Sequence, residues 1–282
     1  MSSRKELIFI SLFIDAVKQL QFSVGMIKSF KWKMPVATLL LALAASSAAS
    51  ANDLYLIIGQ SNAAGRDTNI RSSGADSPDN DVRLFTDGNS FEIARQPLNR
   101  YSNVRNTNQN QGVNLGLEFG KEMHDDNGRR VFLVVNARGG IRIAEWRERN
   151  QLFGSTVRRV KDAEAACNCR LKGILWHQGE GNISSSSGTF TSSYFNSLES
   201  LIDEFRDEFG NVPFIVGEVA RNSRNRSFNR AIRTVDDRSF GTSNVEWARS
   251  ANLSTFDGTH FDSSSMRTLG RRYASRMQQF ID

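Results

Sequence analysis

Short runs of apolar and β-branched residues alternate with longer amphipathic stretches over most of the chain. Each apolar run is bounded by polar residues, glycine or proline, which is the pattern of a buried strand. The five predicted strands are residues 53–59, 131–136, 171–177, 212–219 and 245–248. The other stretches have helical spacing, and the five predicted helices are residues 115–123, 145–166, 194–209, 228–235 and 264–281.

Alternating strands and helices predict an α/β fold, because a strand followed by a helix returns most easily to form a parallel strand. We therefore expect a three-layer αβα sandwich around a central five-stranded parallel sheet. Residues 66–111 differ from this pattern, being rich in Asn, Asp, Ser and Arg with only brief apolar runs. We interpret them as a long surface excursion.

The amino-terminal part of the chain has the pattern of a secretory signal. Lys28, Lys31 and Lys33 precede an apolar run over residues 36–45, and Ala49-Ser50-Ala51 follows as a small-x-small cleavage site. The run is shorter than the ~20 residues that span a bilayer, so no stable membrane insertion is expected after cleavage. We predict an extension and signal peptide over residues 1–51, a single domain over 52–282, and a secreted or periplasmic location.

A second apolar stretch, residues 7–17, lies upstream of this signal. Because a signal peptide begins close to the start of translation, Met26 or Met34 is the expected start.

Charge and cysteine content exclude some partners. The chain carries a net charge of +6, but six basic and only two acidic side chains fall in residues 1–51, so the expected domain is nearly balanced. Its basic residues are interleaved with acids, and no nucleic-acid partner is expected. Cys167 and Cys169 are too close for an easy disulfide and too few for a structural zinc site. Two reduced thiols and a strained bridge both remain open.

Four polar motifs follow the predicted strands, where ligands bind in an open parallel sheet. They are Ser61, Arg138-Gly139-Gly140, His177-Gln178-Gly179-Glu180, and the pair Asp257 and His260. We expect all four to meet at the carboxyl edge of the sheet.

Ser61 and His260 have the chemistry of a nucleophile and its base. A serine hydroxyl hardly ionises at neutral pH, whereas imidazole titrates near pH 6.5 and accepts a proton at working pH. Asp257 lies three residues before His260, close enough to orient the ring. Ser61 alone would be interpreted as a helix cap, but Asp257 and His260 favour the catalytic hypothesis. The backbone N–H groups of Ser61 and Gly140 and the Gln178 amide are candidate donors to an oxyanion.

Glu180 and His177 leave alternatives open. Glu180 could replace Asp257 as the partner of His260, or anchor its own loop. His177 could bind a metal with Glu180, but only His124 remains as a further histidine and its spacing links it to neither. We expect no metal and no cofactor.

Together the motifs resemble a known superfamily. Gly59-Gln60-Ser61-Asn62, Gly139-Gly140, Trp176-His177-Gln178-Gly179-Glu180 and Asp257-Gly258-x-His260-Phe261 occur in the order seen in SGNH hydrolases. The resemblance is strongest to carbohydrate esterases of the sialic-acid-specific acetylesterase and acetylxylan esterase type. It implies Ser61 as nucleophile, His260 as base, Asp257 as acid, and Glu180 as a further acid near the histidine. The substrate-binding positions that we expect are Gln60, Asn62, Arg138, Gly139 and His177.

Three positions depart from the family pattern. Ala63 stands where methionine is frequent, Ile141 replaces threonine or serine, and Gly181 replaces serine. No catalytic group is lost, but substrate placement is left open.

The resulting hypothesis is an exported serine esterase that removes acetyl groups from sialic acid or xylan-type glycans through an acyl-enzyme. Arg138 and Arg142 could hold the carboxylate of an acidic sugar, or could simply be solvated. One alternative is a lipase or thioesterase that acts on other acyl esters. Another is a carbohydrate-binding domain that has lost turnover. Oligomeric state is not predicted.

Overall fold

The structure is a computed structural model that describes residues 52–147, 150–236 and 240–281. The predicted signal peptide, residues 1–51, lies outside the described residues. Within the described ranges, no helix combines the length and the apolar character that crossing a membrane requires.

A seven-stranded sheet forms the centre of the domain, in the order β3-β2-β4-β1-β5-β6-β7. All neighbouring strands run parallel except β2 and β3, which pair antiparallel. The predicted α/β architecture is confirmed, whereas the predicted count of five strands was wrong. The strands are β1 Asn52–Gly59, β2 Val82–Phe85, β3 Phe91–Ile93, β4 Arg130–Val135, β5 Leu171–His177, β6 Phe214–Gly217 and β7 Val245–Ala248.

The two additional strands, β2 and β3, lie in the segment interpreted as a surface excursion. Val82, Leu84 and Phe85 of β2 are buried, because this strand extends the sheet along β4. The edge strand β3 is only three residues long and half-buried. Strands this short in a polar segment leave too little periodicity to detect in the sequence.

Six α-helices occur in the described residues: α1 Ser61–Ala64, α2 Gly116–Asn127, α3 Gln151–Cys167, α4 Ser193–Phe209, α5 Arg226–Ile232 and α6 Ser263–Met277. Short 3₁₀ turns are Leu98–Tyr101, Ile143–Trp146, Glu180–Asn182 and Gln278–Phe280. The helix predicted over residues 145–166 is therefore a 3₁₀ turn followed by a separate helix. Gly128 and Asn168 end α2 and α3 in the left-handed conformation, which satisfies terminal carbonyls.

Side chains alternate across the sheet and build two apolar layers. Leu54, Leu56 and Ile58 of β1 are fully buried on the face covered by α3, α4 and α5. Tyr55 and Ile57 are fully buried on the opposite face, beneath α2 and α6. This is the predicted three-layer sandwich.

Cys167 and Cys169 form a disulfide at the end of α3. Their Cα atoms are 5.2 Å apart, within the ordinary range for a bridge. Of the two alternatives left open by the sequence, the bridged state is the one observed.

Candidate active site

Ser61 lies on a sharp turn between β1 and α1. Gly59 has φ 133°, and a Cβ there would lie 2.0 Å from the carbonyl oxygen of His177. Only glycine allows β1 and β5 to approach so closely at this point. Ser61 begins α1 directly afterwards, at the carboxyl edge of the sheet.

A tight loop after β7 carries His260 and Asp257. Asp257 Oδ1 accepts the backbone N–H groups of Thr259 and His260, at 2.9 and 2.7 Å. The N–H of Phe256 donates to the His260 carbonyl across the same loop, at 3.0 Å. Asp257 therefore fixes the backbone that positions the imidazole.

The three side chains form a continuous hydrogen-bonded chain. Asp257 Oδ2 lies 2.5 Å from His260 Nδ1, and His260 Nε2 lies 2.9 Å from Ser61 Oγ. Burial opposes ionisation of Asp257, but the His260 amide and ring hold its pKa below 3.8. Because an ionised carboxylate only accepts, Nδ1 carries the proton and Nε2 can accept one from Ser61.

Glu180 does not contact His260. Its Oε1 accepts a hydrogen bond from Asn62 Nδ2 at 2.5 Å and lies 3.9 Å from His177 Nε2. Burial raises the pKa of Glu180 above its ordinary value. The structure brings Asp257, and not Glu180, to the imidazole.

Asn62 joins the two halves of the site. Its Oδ1 accepts the N–H of Phe261 at 3.1 Å, and its Nδ2 donates to the Thr259 carbonyl at 3.2 Å. Because its side chain is buried and engaged on both sides, Asn62 positions the His260 loop against α1. The structure does not place it as a substrate contact.

Gln60 and Gln178 hold the neighbouring loops together. Gln178 Nε2 donates to Gln60 Oε1, the Ile141 carbonyl and Asn182 Oδ1, at 3.0, 3.2 and 2.8 Å. Gln60 Oε1 also accepts the N–H of Gly181 at 3.0 Å. Both glutamines are buried, so the Gln178 amide is directed into this framework rather than towards an oxyanion.

Two backbone groups remain as oxyanion donors. Ser61 N and Gly140 N have no hydrogen-bond acceptor within the part of the chain that the structure describes. Gly140 is exposed, whereas Gly139 beside it is buried. Of the three predicted donors, these two have their N–H groups free.

His177 is a buried structural residue. Its Nδ1–H donates to the Tyr273 hydroxyl at 3.0 Å, and that hydroxyl donates to the Trp176 carbonyl at 2.8 Å. Burial lowers the pKa of His177 to about 3, so the ring is neutral. It joins β5 to α6 and has no access to substrate.

Arg138 and Arg142 do not form a carboxylate fork in the structure. Arg138 is exposed, and its Nη1 lies 3.5 Å from the Val104 carbonyl. The Arg142 backbone N–H donates to Glu145 Oε1 at 2.9 Å, and its side chain is exposed.

The three departures from the family pattern lie in or beside the core. Ala63 and Ile141 are buried. A Cβ at Gly181 would lie 2.4 Å from the Ile141 carbonyl, so a serine there would need the backbone to move.

Two further residues near the site, Tyr273 and Phe256, could not be recognised from the sequence. Tyr273 holds His177 from α6, across a long separation in the chain. Phe256 is 53% exposed and stacks against the His260 ring, with 5.9 Å between ring centroids. Their importance depends on contacts that appear only in the folded chain.

A mostly parallel sheet with serine, histidine and aspartate at its carboxyl edge defines the class of SGNH-like α/β proteins. The sequence profile described as carbohydrate esterase, sialic acid-specific acetylesterase matches residues 51–279. The chain belongs to this family, whose members are classed as carboxylic ester hydrolases, and the resemblance inferred from the motifs is confirmed.

Individual relatives are distant. The chain is 25% identical over 177 residues to a probable carbohydrate esterase of Arabidopsis thaliana, an alignment that spans 57% of this chain and 65% of the relative. An Arabidopsis thaliana crystal structure is similar with a TM-score of 0.69 and 22% identity, covering 81% of this chain and 99% of that one. NanS has a TM-score of 0.62 at 15% identity, covering 81% and 97%. A carbohydrate acetylesterase from Xanthomonas citri has a TM-score of 0.59 at 18% identity, covering 81% and 56%. These likenesses show the shared fold.

Proposed function

We propose that this protein is an exported serine esterase that removes acetyl groups from carbohydrate hydroxyls through an acyl-enzyme. The observation that carries the proposal is the chain from Asp257 through His260 to Ser61, with contacts of 2.5 and 2.9 Å. Family membership supports ester hydrolysis on carbohydrates.

In the first half-reaction Ser61 Oγ attacks the ester carbonyl while His260 Nε2 takes its proton. The carbonyl oxygen becomes an oxyanion, which accepts hydrogen bonds from the backbone N–H groups of Ser61 and Gly140. The oxyanion then reforms the carbonyl, the bond between the acyl carbon and the sugar oxygen breaks, and His260 gives its proton to that oxygen. The sugar leaves with a free hydroxyl, and the acetyl group remains on Ser61. Asp257 stabilises the imidazolium that forms in between.

In the second half-reaction a water molecule attacks the acetyl-serine while His260 accepts its proton. The bond to Ser61 Oγ breaks, His260 returns the proton to that oxygen, and acetate leaves. Ser61 and His260 are regenerated without any cofactor in the scheme.

Replacing Ser61 with alanine tests this proposal directly. Ser61→Ala is expected to abolish acetate release from a chromogenic acetate ester, because it removes the oxygen that attacks the ester carbonyl. The exposed Ser275→Ala variant is the matched control and should retain the parent rate. Peptide mass spectrometry after a rapid quench should locate the acetyl group on Ser61. An unchanged rate in a folded Ser61→Ala variant would eliminate the proposal.

A further inference from the structure

A cavity of about 560 Å³ outside the catalytic site is lined by arginines. The cationic residues around it are Arg221, Arg226, Arg230 and Arg233, and Asn222 and Asn229 are among its uncharged residues. Among the residues that the structure describes, no acidic side chain lines it. Its volume is within the range of small-molecule sites, about 300–1,000 Å³. We refer to it as the arginine cavity.

Two of its arginines are held in place by one buried carboxylate. Glu218 Oε2 accepts Arg221 Nη2 at 2.8 Å, and Glu218 Oε1 accepts Arg233 Nε at 2.5 Å. Burial would raise the pKa of Glu218, but the Ser250 amide and these arginines lower it below its ordinary value. The carboxylate therefore remains charged and fixes both guanidinium groups, which reduces the entropy lost when a ligand binds.

The other two arginines form no ion pair with any acidic side chain in residues 52–147, 150–236 and 240–281. Arg226 and Arg230 are exposed, lie four residues apart on α5, and have no ion-pair partner among the described residues. Within the described ranges, the four arginines that line the cavity have one acidic partner, Glu218. Burial and the nearby charges of Arg249 and Arg221 lower the pKa of Arg272, which indicates the same excess of positive charge.

The arginine cavity is connected to the catalytic region by a shared residue. Asn222 also lines a smaller cavity, of about 120 Å³, which Glu180 and Thr259 border. Thr259 precedes His260, and its carbonyl accepts the side chain of Asn62 beside the nucleophile. A chain-like ligand could therefore extend from the catalytic serine past Thr259 and Asn222 to the arginines.

We propose that the arginine cavity binds a carboxylate-bearing sugar unit in the same glycan chain as the acetyl ester. Because Arg221 Nε and Nη2 and Arg233 Nε already bind Glu218, the guanidinium groups left free for a ligand carboxylate are those of Arg226 and Arg230. A guanidinium group matches a planar carboxylate and binds it through paired hydrogen bonds. The natural ligand is then an acidic oligosaccharide rather than a neutral one. The link to an acetyl ester rests on the proposed function, whereas carboxylate binding does not.

Binding of an unacetylated acidic oligosaccharide tests the cavity independently of turnover. The probes are hexagalacturonate and the uncharged galactohexaose, titrated calorimetrically into the full domain. The parent should bind hexagalacturonate only, and more weakly as salt rises. Arg226→Gln with Arg230→Gln should weaken that binding roughly tenfold, because two exposed charge contacts are lost.

The matched control removes two positive charges at the opposite edge of the sheet. Arg170 and Lys172 are exposed at the start of β5, and Arg170→Gln with Lys172→Gln should change the dissociation constant less than about twofold. Equal weakening in both double variants would overturn the proposal, as would equal binding of galactohexaose by the parent.

Measuring acetate release beside hexagalacturonate binding distinguishes a failure of the proposed binding site from a failure of the proposed esterase activity. On O-acetylated galacturonan, Arg226→Gln with Arg230→Gln should raise KM relative to the parent, with kcat little changed. If the parent binds hexagalacturonate through these arginines but releases no acetate from any ester, the proposed function fails and the binding site stands. If it releases acetate but the arginines do not affect hexagalacturonate binding, the binding site fails alone.

Discussion

Asp257 has two separate tasks, since one oxygen holds the backbone of the His260 loop and the other faces the ring. Asp257→Asn replaces the carboxylate oxygen that faces His260 Nδ1 with an amide group. An amide N–H at this point favours the tautomer of His260 that carries its proton on Nε2, and this tautomer cannot accept the proton of Ser61. We expect kcat/KM for a chromogenic acetate to fall by roughly a hundredfold or more. Steady-state kinetics at pH 7 measure this, with circular dichroism to confirm folding.

Glu180→Gln is the counterpart that distinguishes the two acids. A glutamine at position 180 retains an oxygen to accept Asn62 Nδ2, so the link to the His260 loop survives. The expected loss is below about tenfold, since Glu180 does not touch the reacting groups. A larger fall in kcat/KM for Glu180→Gln than for Asp257→Asn would show that Glu180, and not Asp257, is the acid that supports His260.

At the scale of single residues, the sequence predicts which residue types lie at the site more readily than the directions in which their side chains point. The meeting of Ser61, His260 and Asp257 could be predicted, because the three residues have the chemistry of a nucleophile, base and acid and follow strands that end at one edge of the sheet. The side-chain directions of Gln178, His177 and Asn62 depend on partners more than ninety residues away in the chain, namely Gln60, Tyr273 and Phe261. A sequence motif identifies which residues are present but not which atoms their side chains contact. For this reason all three residues were expected nearer to the substrate than the structure places them.

At the scale of elements, a buried ion pair fastens the polar segment 66–111 to α6. Asp76 Oδ2 accepts Arg267 Nη2 at 2.6 Å, and both residues are buried. Asp76→Asn should reduce the free energy of unfolding by about 2–3 kcal/mol at pH 7, because it leaves Arg267 without its counter-charge. The exposed Asp126→Asn variant on α2 is the control and should be neutral.

The same pair predicts a pH dependence. Burial alone would raise the pKa of Asp76, but Arg267 and the Arg71 amide lower it below 3.8. Its contribution is therefore complete above the unfolded value of 3.8 and is lost as the pH falls through the folded pKa. Urea unfolding at pH 7 and pH 3 should show the parent and Asp76→Asn converging at the lower pH. A constant difference between them would contradict this assignment.

Element prediction succeeded for the strands that alternate with predicted helices and failed inside the polar segment 66–111. β1 and β5 are central strands of eight and seven residues with buried side chains on both faces, and their pattern is clear. β2 and β3 have only four and three residues, and they form the outer end of the sheet within a polar segment. The arginines of α5 did leave a signal, because Arg226, Arg230 and Arg233 recur at helical spacing on one face. Their common cavity, however, also needs Arg221 and Glu218 from the loop after β6.

At the scale of the whole molecule, the disulfide at the end of α3 is relevant to location. A bridge between Cys167 and Cys169 persists most readily in an oxidising compartment, which agrees with export of the domain. We predict that the chain expressed in a bacterium is cleaved after Ala51, so that its exported form begins at Asn52, the first residue of β1. Amino-terminal sequencing of the periplasmic fraction measures this. A control that lacks residues 26–51 should remain in the cytoplasm, and a first residue well before Asn52 in the exported protein would contradict the prediction.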